Sequence, residues 1–232
     1  MNIFFHIVDF SSIFFMINWS VKFVMNYNSI YRTLSPDIKI QFDNRIVSTA
    51  HSLIAPIHAI TSIYKYGWTP YSTLKELPKE ISYKLYFSTA YFLWDVFASL
   101  QEKDKSFVLH AFACLLVFMM GCWNPTISSF IVSFLFYELS TPFVNIRWFL
   151  LTFNPIKFKK YIKQLEKIIF VLFALTRIGI GLPLQYNILD TYWSSFKNNP
   201  TLMKMGALSA NISLGGLNIY WFGKMLKKFL KK

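Results

Sequence analysis

A short polar stretch within an apolar region holds the groups of this chain that are best placed to do chemistry. Residues 137–149 read YELSTPFVNIRWF and contain Glu138, Asn145 and Arg147. Ionisable groups inside a bilayer cost roughly 2.5–3.5 kcal/mol each on insertion scales, so they normally face the interior of a helix bundle. Thr141 and Asn145 follow Glu138 at helical spacing. The pattern predicts that Glu138 faces a polar cavity inside a membrane protein.

Histidines and one further carboxylate add candidate groups. Acyl transfer to an amine or hydroxyl requires a base that takes the proton and a second group that orients the base. His110 opens an apolar segment, and Glu138 or Asp95 could serve as its partner, so His110 and Glu138 are the candidate catalytic residues. His51 and His58 lie two helical turns apart on one face. They could bind metal or transfer protons, but hydrogen bonding to neighbouring helices is the favoured interpretation.

These side chains define a predicted lipid cavity within the bundle. Arg177 interrupts a later apolar segment and could pair with Asp95 or Glu138; such a pair would be purely structural, and a functional role stays open beside it. The residues predicted to line the cavity are His51, Asp95, His110, Glu138, Asn145 and Arg147.

Composition indicates lipid as the solvent. Of the 232 residues, 54% are hydrophobic and 15% are charged, whereas soluble domains have about 25% charged residues. The net charge of +13 comes from 24 Lys and Arg that cluster between apolar runs, as in membrane proteins. No basic face or nucleic-acid motif accompanies them, so we expect no nucleic-acid partner. Cys114 and Cys122 lack metal-site spacing, and no cofactor fingerprint occurs, so we expect neither metal nor cofactor.

Seven apolar runs approach the roughly 20 residues that a transmembrane helix requires. They cover residues 3–25, 46–64, 83–101, 106–123, 126–149, 167–187 and 202–223. Asn124-Pro125 predicts a tight turn between the fourth and fifth runs. Lys and Arg are concentrated on one side of this arrangement, which predicts a lumenal amino terminus and a cytosolic carboxyl terminus.

The organisation is therefore that of an all-α, multi-pass membrane protein. Residues 1–42 form a first transmembrane helix and a cytosolic loop, residues 43–225 form the main domain, and residues 226–232 form a basic cytosolic tail. The tail is expected to contact anionic lipid headgroups.

Three blocks of sequence resemble the TLC-domain family, which includes ceramide synthases and the translocating-chain-associated membrane protein. The blocks are residues 44–51 (NRIVSTAH), 107–110 (FVLH) and 138–149 (ELSTPFVNIRWF). The third block is most similar to the TLC domain-containing protein 4 group, also called transmembrane protein 56. The resemblance covers about residues 43–225 and implies six helices in a barrel-like bundle around a lipid-accessible cavity, usually in the endoplasmic reticulum.

The chain departs from the ceramide synthase pattern at two places. Ceramide synthases carry adjacent histidines where this chain has His110 followed by Ala111, and a pair of aspartates where it has Glu138 and Thr141-Pro142. We therefore favour a protein that binds lipid, of the sphingolipid or phospholipid class, and contributes to membrane lipid homeostasis without ceramide synthase activity. Two alternatives stay open: an acyltransferase that uses His110 and Glu138, and, less favoured, a transporter.

Overall fold

The computed structural model of the chain describes residues 3–67, 78–102, 104–124, 128, 131–198 and 201–230. Within those ranges the protein consists of helices and short connections, with no β-strand. The all-α prediction is therefore confirmed for the described residues. Pro125 of the predicted turn and the last two lysines of the basic tail lie outside them.

Nine α-helices and two segments of altered helical pitch follow one another in this part of the chain. The helices are α1 (Ile3–Met25), α2 (Ser29–Thr33), α3 (Pro36–Tyr66), α4 (Lys79–Gln101), α5 (Lys105–Trp123), α6 (Thr141–Phe153), α7 (Lys159–Phe173), α8 (Gly181–Asn198) and α9 (Leu202–Leu230). A 3-10 segment, Phe134–Ser140, precedes α6, and a π-helical segment, Ala174–Ile180, joins α7 to α8.

Helix α3 begins and ends at local sequence signals. The Ser35 hydroxyl accepts a hydrogen bond from the Ile38 amide at 3.4 Å, and Pro36 occupies the first turn, where its missing N–H costs no hydrogen bond. Gly67 ends the helix with a φ of 76°, a conformation that favours glycine. The helix starts ten residues before the apolar run at residue 46, since amphipathic residues extend it beyond the apolar part.

The fifth apolar run is not one uniform helix. Residues 131–133 are helical, Phe134–Ser140 tightens to 3-10 geometry, and α6 begins at Thr141 with Pro142 in its first turn. Proline suits a first turn, where its missing N–H costs no hydrogen bond, whereas in a helix interior it removes one. The break thus falls at the polar stretch and places Glu138 in the 3-10 segment.

A buried apolar core holds the bundle together. Helix α4 packs against α1 and α5, α5 packs against α9, and α3 packs against the 3-10 segment and α6. Phe14 of α1 is 1% exposed and meets the rings of Phe87 and Tyr91 of α4 at 5.2 and 5.4 Å between centroids. Helix α1 is therefore joined to the bundle by aromatic packing.

The outer surface is rich in large apolar side chains. On α1, Phe4, Trp19 and Phe23 are more than half exposed, and Leu53 and Ile57 of α3 are exposed to a similar degree. Such an apolar exterior fits contact with lipid rather than with water.

Four helical stretches in the described part of the chain are long and apolar enough to cross a membrane. They are Ile3–Met25, Pro36–Tyr66, Lys105–Trp123 and Lys159–Asp190. Helices α4 and α9 are long enough, at 23 and 29 residues, but neither contains an 18-residue stretch that is both apolar enough and poor enough in charged residues. The membrane character is thus supported, while the count of seven spans and the barrel-like arrangement stay predictions.

Candidate lipid cavity

A cavity of about 420 Å³ lies within the bundle, at the polar stretch. Helices α3, α4, α5, α6, α7 and α9 contribute to its wall, together with the 3-10 and π-helical segments. We call it the central cavity. Its lining is Asn44, Arg45, Ser48, Tyr91, Phe92, Asp95, Ser99, Glu102, Phe107, His110, Glu138, Ser140, Thr141, Val144, Asn145, Ile169, Phe173, Arg177, Trp221, Lys224 and Met225. Four of the six predicted lining residues are among these: Asp95, His110, Glu138 and Asn145.

Glu138 is buried and forms an ion pair. The Thr141 hydroxyl donates a hydrogen bond to Glu138 Oε2 at 2.7 Å, and Arg177 Nη2 lies 3.8 Å from Glu138 Oε1. The side chains of Glu138 and Arg177 are only 11% and 8% exposed. Of the two pairings expected for Arg177, the structure forms the one with Glu138, and the carboxylate faces the interior as predicted.

The π-helical segment holds Arg177 at this position. Its Nη1 donates a hydrogen bond to Asn218 Oδ1 of α9 at 3.2 Å. Its guanidinium also lies over the rings of Tyr137 and Phe173, at 5.6 and 5.1 Å from their centroids. A π-helical turn adds a residue to a helix and redirects the side chains around it, and such turns are frequent at functional sites.

His110 reaches the central cavity from the second turn of α5. Its Nε2 lies 3.6 Å from Cys114 Sγ one turn further on, and its ring meets Trp221 of α9 edge-on at 5.4 Å. Within the described residues, no hydrogen bond joins His110 to Glu138 or to Asp95. His110 and Glu138 thus both line the cavity, but no hydrogen bond joins them as it would join a general base to the carboxylate that orients it.

Asp95 lines the same cavity from α4 and is half-buried. No side chain in the described part of the chain donates a hydrogen bond to its carboxylate or pairs with it. A carboxylate removed from water without a partner is costly. A polar group of a ligand in the cavity would remove part of that cost.

Asn145 links α6 to α3 through hydrogen bonds. Its amide donates to the Ser48 and Thr49 hydroxyls at 3.3 and 3.0 Å, and its carbonyl oxygen accepts from Arg45 Nη1 at 3.0 Å. The guanidinium of Arg45 lies 4.8 Å from the centroid of the Trp148 ring. The residue lines the cavity, but its hydrogen bonds are used to hold the wall in place.

The other two predicted lining residues lie elsewhere. His51 is fully buried and stacks on Tyr91 at 3.7 Å between ring centroids, with Nε2 3.4 Å from Ser88 Oγ. Tyr91, not His51, forms the cavity wall. Arg147 lines a neighbouring cavity of about 280 Å³, where its Nη2 donates to Glu166 Oε1 at 2.8 Å.

Sequence reasoning missed Glu102 and Trp221 as lining residues. Glu102 caps the end of α4 and accepts a hydrogen bond from Asn44 Nδ2 at 2.8 Å. Burial raises the pKa of Glu102, although the Asn44 hydrogen bond and the charge of Arg45 oppose the rise. The residue lies in a charged turn, which reads as a solvated loop in the sequence. Trp221 lies in an apolar run and had no distinguishing signal.

No metal site is evident in the described ranges, where no group of three or more His, Cys, Asp or Glu side chains is arranged to hold an ion. Cys114 and Cys122 are both buried and free. The chemistry available in the central cavity is therefore that of its charged and polar side chains against an apolar wall.

Comparisons with known proteins agree with the three sequence blocks. Residues 41–227 match the TLC domain. An uncharacterized TLC domain-containing protein of Schizosaccharomyces pombe is 26% identical over 95% of this chain and 77% of its own length. Human TLC domain-containing protein 4 is 28% identical over 94% of this chain and 84% of its own. The Saccharomyces cerevisiae protein named topoisomerase I damage affected protein 4 is 26% identical over 96% and 83%. No solved structure matches the chain significantly. Because the domain match covers most of its length, the chain belongs to the TLC domain family.

Proposed function

We propose that this protein binds a membrane lipid in the central cavity and thereby contributes to membrane lipid homeostasis. The observation that carries the proposal is the cavity itself, where Asp95, His110, Glu138 and Arg177 meet apolar side chains within the bundle. Binding sites for small molecules are typically clefts of about 300–1,000 Å³ with apolar walls and a few convergent polar groups. The cavity fits that description in size, and most of the surface that its lining exposes is apolar.

The lining matches the two ends of an amphiphile. Val144, Ile169, Phe173 and Met225 offer an apolar wall to a hydrocarbon chain. Asp95 has an unpaired carboxylate among the described groups, and it would accept a hydrogen bond from a hydroxyl or amine of the ligand. A lipid carries both kinds of surface in one molecule.

We propose further that the protein does not synthesise ceramide. His110 is followed by Ala111 instead of a second histidine. Glu138 is already engaged by Thr141 and Arg177. A general base works best when a partner orients it and tunes its pKa, and the described residues supply His110 with no such carboxylate.

An acyltransferase remains the second candidate, because His110 and Glu138 line one cavity. In that reaction His110 would take the proton of the attacking hydroxyl or amine. Movement of Glu138 away from Arg177 would be needed before its carboxylate could orient the imidazole. A transporter is less favoured, since no repeat with paired broken helices is evident in the sequence.

The proposed setting is the endoplasmic reticulum membrane, with seven spans, a cytosolic carboxyl terminus and no nucleic-acid partner. Six of the spans would form the TLC-type barrel around the central cavity, over residues 43–225, and the basic tail would lie on the cytosolic face. Epitope tags at the two termini, probed after selective permeabilisation of the plasma membrane, should differ in accessibility. Equal access to both tags from the cytosol would contradict an odd number of spans.

The lipid that remains with the purified protein tests the proposed function. We expect mass spectrometry to find a lipid at near one copy per protein molecule. Val144→Trp should reduce that amount several-fold, because Val144 lines the central cavity and the larger ring would occupy its space. Ile146→Trp is the matched control, since Ile146 lies on the same helix, is exposed to a similar degree (44% against 37%) and lines neither cavity. An equal lipid content in the two variants would contradict binding in the cavity.

A further inference from the structure

The neighbouring cavity is a basic pocket that adjoins the central one. Arg147, Glu166, Lys224 and Lys228 supply its charged groups, and we call it the basic pocket. It lies between α6, α7 and α9. Four residues line both cavities: Val144, Ile169, Lys224 and Met225. The two cavities therefore lie side by side along these residues.

The charges of the basic pocket are unbalanced. Glu166 Oε1 accepts hydrogen bonds from Arg147 Nε at 3.1 Å and Nη2 at 2.8 Å, and from Lys228 Nζ at 2.6 Å. Lys224 forms no salt bridge in the described part of the chain. Its ammonium lies 4.3 Å from the centroid of the Tyr220 ring, and its charge also acts on the carboxylate of Asp104, which lies outside the pocket. Three cations and one carboxylate leave a net charge of +2.

We infer that the basic pocket binds the phosphate group of an amphiphile whose chain lies in the central cavity. The inference rests on the proposed lipid binding and adds the chemical class of the headgroup, a phosphate monoester. Such a group carries a charge of about −1.5 to −2 at neutral pH, which matches the unbalanced charge of the pocket. Basic pockets between transmembrane helices are a known form of binding site for anionic headgroups.

The remaining donors suit a phosphate. Arg147 uses Nε and Nη2 on Glu166 and keeps the N–H groups of Nη1 for a second acceptor. The ammonium groups of Lys224 and Lys228 each have three N–H donors, of which a single carboxylate uses few. Glu166 orients Arg147 and Lys228 before the ligand arrives, but it also competes with the ligand as an anion.

Quenching of Trp221 fluorescence by a lipid with brominated chains tests this inference, because Trp221 lines the central cavity. The full-length protein in a neutral detergent is titrated with brominated phosphatidic acid or with brominated phosphatidylcholine. Trp221→Phe identifies the part of the quenching that comes from this one of seven tryptophans. We expect saturable quenching at lower concentrations of phosphatidic acid than of phosphatidylcholine.

Substitutions in the basic pocket should change the affinity with opposite signs. Lys224→Gln and Lys228→Gln should each weaken phosphatidic acid binding by roughly tenfold, the size of one charge-assisted hydrogen bond. Glu166→Gln should strengthen binding, because it removes the competing anion and keeps an acceptor for Arg147. Lys227→Gln is the matched control, with the same loss of charge on the same helix at a residue that lines neither cavity.

Inorganic phosphate, added as a competitor, separates two sources of the phosphate group. Displacement of the brominated lipid at millimolar concentrations would assign the pocket to phosphate itself, free or lipid-borne. Failure to displace it would assign the pocket to a lipid headgroup that binds together with its chain. Equal quenching by the two lipids, unchanged in the lysine variants, would overturn the phosphate inference and leave lipid binding intact. Absence of Trp221 quenching by either lipid would also overturn the phosphate inference, and the lipid retained by the purified protein would then test the proposed function separately.

Discussion

Removal of the guanidinium at Arg177 should destabilise the protein, and the size of the loss depends on how deeply the ion pair with Glu138 is buried. Arg177→Met leaves Glu138 buried with the Thr141 hydroxyl as its only described hydrogen-bond donor. Loss of one partner of a buried ion pair costs about 3–5 kcal/mol in general. We expect about 3 kcal/mol, the lower end, because the separation of 3.8 Å is long for such a pair.

A thiol-reactive fluorogenic dye can follow thermal unfolding of the detergent-solubilised protein. Cys114 and Cys122 are 7% and 3% exposed, so both should react only as the bundle opens. For a chain of this size, 1 kcal/mol corresponds to a shift in Tm of about 2–4 °C. Arg177→Met should therefore lower Tm by about 6–12 °C.

Two further variants separate the ion pair from the general effect of losing an arginine. Arg147→Met removes a more exposed pair, 28% and 17%, and leaves Glu166 with Lys228, so we expect a loss of about 1 kcal/mol or less. Adding Glu138→Gln to Arg177→Met removes the unpaired buried charge and should recover part of the loss. Equal shifts for the two arginine variants, or a double variant less stable than Arg177→Met alone, would refute the role of burial.

Three other predictions concern pH, packing and catalysis. Glu102→Gln should raise Tm at pH 7, because a pKa raised by burial means that folding favours the neutral form. The gain should fade as the pH drops through the raised folded pKa and should be absent below the unfolded pKa of about 4.3, where Glu102 is protonated in both states; a gain that persists there would contradict this linkage. Gly181→Ala should lower Tm, since its Cβ would overlap the Tyr137 hydroxyl oxygen and lie 2.6 Å from the ring carbon Cζ, whereas Gly206→Ala meets nothing within 4 Å and should leave Tm unchanged or slightly raised. The purified protein should make no ceramide from a long-chain base and acyl-CoA; activity that His110→Ala abolishes would instead support the acyltransferase, because loss of a general base typically costs about 10²–10⁴-fold.

Much of the site could be predicted because its signals are local. Glu138, Asn145 and Arg147 stand out against apolar neighbours, and the cost of exposing a carboxylate to hydrocarbon dictates that Glu138 turns inward. The sequence blocks also indicate the TLC domain before any contact is known. Helix bounds were less predictable, since α3 begins at Pro36 and α7 at Lys159, in polar residues that precede the apolar runs at residues 46 and 167.

The sequence by itself determined the solvent, the family and the residues that must be kept from lipid. Only the tertiary structure decided which of them meet. Arg177 pairs with Glu138 and not with Asp95, and His51 is separated from the central cavity by Tyr91. Glu166 joins Arg147 and Lys228, 19 and 62 residues away in sequence. Composition and periodicity indicate whether a segment needs an apolar or a polar environment. Which residue each polar side chain contacts depends on which helices become neighbours and on where the 3-10 and π-helical segments redirect their side chains.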